Sequence, residues 1–84
     1  MSIPRKRALL RIAGLSERIV EHVRKVQTQP LAASYNHWRF EALEWCEQVE
    51  ALARHVGERT QSEVLPHVED WKQALIAENE RRTY

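Results

Sequence analysis

The amino-acid sequence predicts an all-α protein, a three-helix up-down-up bundle that forms a single domain over residues 1–84. The main observation is a stripe in the middle of the chain, where apolar residues recur in alternating steps of three and four. Weaker stripes of helical spacing lie on either side of it. Helix breakers are few, with two glycines and three prolines in 84 residues. The similar lengths of the three segments and their short connections favour antiparallel packing of neighbours.

The first helix is predicted over residues 4–27. Its apolar residues fall on one face at helical spacing, and they are Ile12, Leu15, Ile19, Val23 and Val26. Pro30 follows this segment, and a proline disfavours the helical conformation of the residue before it. The helix is therefore expected to end just ahead of that proline.

The second helix, predicted over residues 31–56, carries the strongest pattern. Its seam consists of Tyr35, Trp38, Ala42, Trp45, Val49, Leu52 and Val56. Unbroken spacing of this kind is typical of helices that pack knobs-into-holes. Leu31 falls on the same seam, and Gly57 is placed to end the helix.

The third helix is predicted over residues 60–82, where Thr60 and Glu63 have the spacing of a capping box. Its stripe consists of Val64, Val68, Trp71 and Leu75. If the second helix continued straight, the residue seven positions after Val56 would carry on its seam. That residue is Glu63, one position before the stripe begins at Val64, so the apolar face would turn away from the seam. The shift in phase indicates a turn at Gly57. Pro66 predicts that the third helix either begins late or kinks.

Catalytic and metal-binding patterns are weak. His37, Glu41 and Glu44 lie on one side of the second helix, but a metal site needs three or four converging ligands at suitable spacing. No glycine-rich phosphate loop occurs, and no serine has a base at a recognisable spacing. The sequence predicts a protein that is not an enzyme and that holds no metal or cofactor.

Cys46 is the only cysteine, so no disulfide can form within one chain. It is expected to be a small residue at the edge of the core, and its solitary state fits a reducing, cytoplasmic location. No apolar run approaches the roughly 20 residues of a membrane span. We therefore expect no membrane partner.

Apolar residues away from the main stripes predict a partner-binding surface. Phe40 and Leu43 fall opposite the tryptophan seam, on the same side of the helix as Arg54, and Leu10 falls opposite the first stripe. Exposed aromatic residues near arginine are typical anchors of protein interfaces. A middle helix between two others would instead bury Leu43. The favoured function is a non-enzymatic interaction module, such as an adaptor, an assembly subunit or a small protein inhibitor, that binds a protein partner or itself as a homodimer.

A basic first third suggests a second function. Residues 1–27 contain seven basic and two acidic residues, a net charge of +5, whereas the whole chain carries +1. The candidate anion-binding residues are Arg5, Lys6, Arg7, Arg11 and Arg18. They allow a nucleic-acid-associated helical subunit that contacts phosphates, although no aromatic residue lies beside them for base stacking. We expect instead that several of these bases pair with acids of the other helices or of a protein partner.

Overall fold

The structure, a computed structural model, describes the backbone of residues 4–83 and the side chains of residues 4–77. Three helices follow one another: α1 (Arg5–Thr28), α2 (Tyr35–Val56) and α3 (Glu58–Thr83). The middle helix α2 packs against both of the others, and α1 and α3 contact each other less. The predicted all-α three-helix bundle is confirmed.

The start of α2 was predicted wrongly, because the helix begins at Tyr35 and residues 29–34 form a turn. The amide of Ala32 donates to the carbonyl of Gln29 (3.2 Å), and the amide of Tyr35 donates to the carbonyl of Ala32 (3.1 Å). The chain needs these residues to reverse direction after α1. Leu31 consequently does not belong to the seam, and its side chain is 90% exposed.

The break between α2 and α3 was predicted correctly, and it is a single residue. Gly57 has a φ of +133°, a conformation that side-chain-bearing residues rarely adopt. Its amide donates to the carbonyl of Ala53 (3.2 Å), and its carbonyl accepts from the amide of Gln61 (3.0 Å). The same glycine therefore ends one helix and supplies the first acceptor of the next.

The start of α3 differs from the expectation. Because the Gly57 carbonyl already accepts a helical hydrogen bond, α3 begins at Glu58. Thr60 therefore lies within the first turn with its side chain buried, and it is not a cap. Of the two alternatives for Pro66, the late start is wrong, since this proline lies inside the helix. Proline has no amide hydrogen, so the carbonyl of Ser62 loses its helical donor there.

The core confirms the seam of α2. A larger cluster lies towards the Gly57 turn and consists of Ala8, Ile12, Leu15, Ile19, Cys46, Val49, Leu52, Ala53 and Val68. A smaller cluster lies towards the other end and consists of Val26, Tyr35, Ala42 and Leu75. The half-buried Trp45 and Trp71 pack against the larger cluster, and Trp38 packs against the smaller one.

Candidate interaction surfaces

At the border between α1 and α2, the carboxylate of Glu41 contacts two histidines. His22 Nε2 of α1 lies 2.8 Å from Glu41 Oε1 of α2, so the Nε2–H donates to the carboxylate. His37 Nε2 approaches the other oxygen of Glu41 at 3.5 Å. The ring of His22 also packs on Trp45, with a centroid separation of 4.7 Å. Within the described residues, no group of three or more His, Cys, Asp or Glu side chains is placed to hold a metal.

One turn further along α1, the side chain of Lys25 lies over Trp38 of α2. Lys25 Nζ of α1 lies 5.3 Å from the centroid of the Trp38 ring, a cation–π distance. The same ammonium group is 3.6 Å from Glu21 Oε1 on its own helix. Polar groups of α1 thus cover both tryptophans of α2. Both tryptophans are half-buried at this border.

The border between α2 and α3 contains an ion pair and the buried thiol. Lys72 of α3 contacts the carboxylate of Glu50 of α2, and this hydrogen bond raises the pKa of Lys72 because it favours the charged form. Cys46 is completely buried in the larger core cluster. Burial raises the pKa of its thiol from 9.0 to about 11. The thiol therefore stays protonated at neutral pH and serves as a core residue.

The predicted partner-binding residues of α2 are not all in one place. The Phe40 side chain is 60% exposed, and the guanidinium of Arg39 lies 4.6 Å from its ring centroid. Leu43 is half-buried and packs against the smaller core cluster. Arg54 is fourteen residues, or roughly 21 Å along the helix, from Phe40, and it pairs with Glu50 at 3.6 Å. Phe40 is thus the exposed anchor, Leu43 partly supports the core, and Arg54 is remote from both.

Ile76 of α3 is a further exposed apolar residue, and the sequence analysis missed it. Its side chain is 43% exposed. It lies one turn after Lys72, on the side of α3 that faces α2, and at about the level of Leu43. The signal in the sequence was an isoleucine directly after the striped Leu75, which widens the apolar face of α3.

A second group of exposed apolar residues lies on α1. Leu10, one of the predicted partner-binding residues, is 66% exposed. Leu9 and Val20 are 38% and 44% exposed, and Ala13 is exposed as well. Val20 lies on the side of α1 that faces α3, because it borders a cavity with Trp71. The sequence analysis missed these three neighbours of Leu10, although steps of four and seven connect Leu9 to Ala13 and Val20.

The five candidate anion-binding residues are all exposed. None of them lies within ion-pair distance of a carboxylate among the side chains of residues 4–77. Arg5 donates instead to the carbonyl of Val56 at 3.4 Å. The predicted pairs with acids of α2 or α3 are absent among the side chains of residues 4–77, and pairing with a protein partner stays a prediction. The acids nearest the helix borders are already engaged, Glu41 by two histidines and Glu50 by Lys72 and Arg54.

A shallow depression divides the basic face of α1. It has a volume of about 280 Å³ and is lined by Arg11, Gly14, Leu15 and Arg18. A Cβ atom placed on Gly14 would meet nothing within 4 Å. Packing within the chain therefore does not require a glycine there, although glycine in a helix costs roughly 1 kcal/mol relative to alanine.

Comparison of the chain with protein-family models, with curated proteins and with solved structures found no match. Over the residues that the structure describes, none of the three helices combines the length and the apolarity needed to cross a membrane.

Proposed function

We propose that this chain is a non-enzymatic helical interaction module, an adaptor, assembly subunit or small protein inhibitor. The observation that carries the proposal is the exposed Phe40, 60% accessible on a helix whose opposite face is fully packed. Removing apolar surface from water is the main favourable term in protein association. Phe40 is therefore the residue of α2 whose burial by a partner would contribute most.

The surroundings of Phe40 support this role. The guanidinium of Arg39 lies over its ring, and arginine is one of the residue types enriched among those that dominate binding energy. The half-buried Leu43, one turn away, anchors this part of α2 to the core. A side chain held on a packed helix loses little conformational entropy when it binds. We further propose a cytoplasmic location, which agrees with a buried, protonated thiol at Cys46.

The test is a pair of matched substitutions, Phe40→Glu and Leu31→Glu. Both introduce the same charge at an exposed apolar residue, one on α2 and one in the turn before it. Phe40→Glu should reduce capture of the partner by the tagged chain, as measured by quantitative mass spectrometry. Leu31→Glu should not. Both variants should keep their helix content, because surface substitutions change stability by only about half a kcal/mol. Equal capture by the two variants would remove the role of Phe40.

A nucleic-acid-associated helical subunit is the second candidate. It is favoured by the exposed bases of α1, which lack acidic partners among the described side chains. It ranks second because residues 1–34 contain no phenylalanine, tyrosine or tryptophan that would stack on bases. Fluorescence anisotropy with single- and double-stranded oligonucleotides at about 150 mM salt decides the matter, since long-range attraction is screened there. Sub-micromolar binding, with a salt slope reduced by replacing Arg5, Lys6 and Arg7, would place this function first.

A further inference from the structure

A cavity of about 220 Å³ opens on the surface between α1 and α3. It is lined by the apolar side chains of Val20, Val23 and Trp71 and by the polar side chains of Arg24 and Gln27. Steps of seven and four lead back from Val20 to Ala13 and Leu9, both exposed on α1. We call this surface the α1–α3 groove.

The α3 side of the groove follows the same spacing. From Trp71, a step of four leads back to His67 and a step of seven to Val64. The His67 and Trp71 rings are stacked, with centroids 6.1 Å apart and planes inclined by 25°. Because α1 and α3 run in the same direction in an up-down-up bundle, the two rows lie side by side. The residues from Leu9 to Val20 span about three turns of α1, so the two rows continue this surface beyond the cavity.

Charges of opposite sign border the groove. Arg24 lies on the outer edge of its α1 side, and Asp70 lies on the outer edge of its α3 side. Both are exposed, and neither has an oppositely charged partner among the side chains of residues 4–77. A surface with complementary charges on its two edges is suited to contact a copy of itself.

We propose that the α1–α3 groove binds a second copy of this chain, with a twofold axis parallel to the helices. This inference goes beyond the proposed function, because it assigns a self-association surface that is separate from Phe40. In such a dimer α1 of each copy lies over α3 of the other, and Arg24 of one copy faces Asp70 of the second copy. The contact occurs twice because a twofold interface is used by both copies.

The direction of the axis follows from charge. An axis across the helices would instead lay α1 against α1 in the antiparallel sense. Two segments that each carry a net charge of +5 over residues 1–27 would then meet, and like charges in contact are unfavourable. The parallel axis avoids this repulsion. It also leaves Phe40, on the other side of the bundle, open for a different partner.

The experiment exchanges the two edge charges. Arg24→Asp and Asp70→Arg are each expected to weaken the homodimer about tenfold or more, because two attractive pairs become two repulsive ones. An equimolar mixture of the two variants should restore dimerisation, since the mixed dimer contains two attractive pairs. Sedimentation velocity and native mass spectrometry measure these masses. A failure of the mixture to associate better than the separate variants would overturn the proposal.

Two further variants separate this proposal from the role of Phe40. Val20→Asp places a charge in the groove and should produce monomers, whereas Phe40→Glu should leave the dimer intact. Circular dichroism checks that both variants remain folded. A dimer that is dissociated by Phe40→Glu and unaffected by the groove variants would overturn the groove assignment and leave the interaction function standing. A wild-type chain that stays monomeric would also overturn it, while binding of another protein through Phe40 would be untouched.

Discussion

The two sides of α1 differ in how completely the rest of the bundle covers them. Towards α2, two tryptophans pack beneath His22 and Lys25, and Glu41 links the two helices. Towards α3, a single tryptophan faces Val20, which remains 44% exposed. The same helix thus has a closed side that stabilises the fold and an open side suited to association. The difference shows that the amphipathic stripe of α1 is wider than one neighbour can bury.

The largest effect is expected from the closed side. Trp45→Ala should cost about 3 to 5 kcal/mol of unfolding free energy, because it removes a large side chain packed on the core and on His22. So small a domain has little stability to spare, and the variant is expected to be largely unfolded. Urea denaturation followed by circular dichroism measures this. A melting temperature within a few degrees of the parent would show that α2 does not pack as described.

A matched pair of valines compares the two sides directly. Val49 is completely buried on the seam of α2, whereas Val20 lies in the open groove. Val49→Ala should lower the free energy of unfolding by about 2 kcal/mol, the cost of lost burial and a small cavity. Val20→Ala should change it by about half a kcal/mol at a protein concentration where the chain is monomeric. Equal losses in the two variants would mean that the groove is part of the closed core.

The contact of Glu41 with His22 and His37 is expected to contribute less to the free energy of unfolding. Glu41→Gln removes a charged acceptor shared by His22 and His37 and should cost about 1 kcal/mol at neutral pH. Glu44→Gln is the matched control on the exposed surface one turn away, and it should stay within about half a kcal/mol of the parent. Thermal melts of both variants at low and high salt measure the contrast. Indistinguishable melts would show that the shared carboxylate does not stabilise the α1–α2 contact.

A further effect on stability is expected only in alkaline solution. The pKa of Cys46 is raised to about 11 in the folded chain, so the folded state keeps a proton that the unfolded state releases. The thiol should therefore make its full contribution to the free energy of unfolding below a pH of about 9. This contribution should decrease as the pH rises from about 9 towards 11, and only the first part of that range is accessible to experiment. Lys72, whose pKa is also raised, changes stability in the same direction. Denaturation of the parent and of Cys46→Ala at a series of pH values measures the thiol contribution, which the variant should lack.

Sequence periodicity predicted the closed side of the bundle well. The heptad seam and the phase shift after Val56 depend on local spacing alone, and both correspond to packing in the structure. Gly57 was found because a positive φ favours glycine. The start of α2 was missed because apolar phase continues through Leu31, although the chain must turn there before it can pack. Thr60 was misread as a cap because the Gly57 carbonyl already supplies the first helical acceptor.

Candidate surfaces were harder to predict than helices. The sequence marked Leu10 and Phe40 as apolar residues away from the stripes, and both are exposed. It did not mark Val20, because only the packing of α1 beside α3 shows which apolar residues remain uncovered. The net charge of residues 1–27 predicted internal ion pairs that the described residues do not make. Charge totals give the sign of a segment but not the direction of each side chain.

The mass of the chain across concentration tests the central claim, that the uncovered side of α1 is an association surface for a second copy. Light scattering should give a mass that rises with concentration from the 9.9 kDa of one chain towards twice that value. Val20→Asp should keep the mass at 9.9 kDa over the same range. A parent chain that remains at 9.9 kDa at every concentration that stays in solution would contradict the claim.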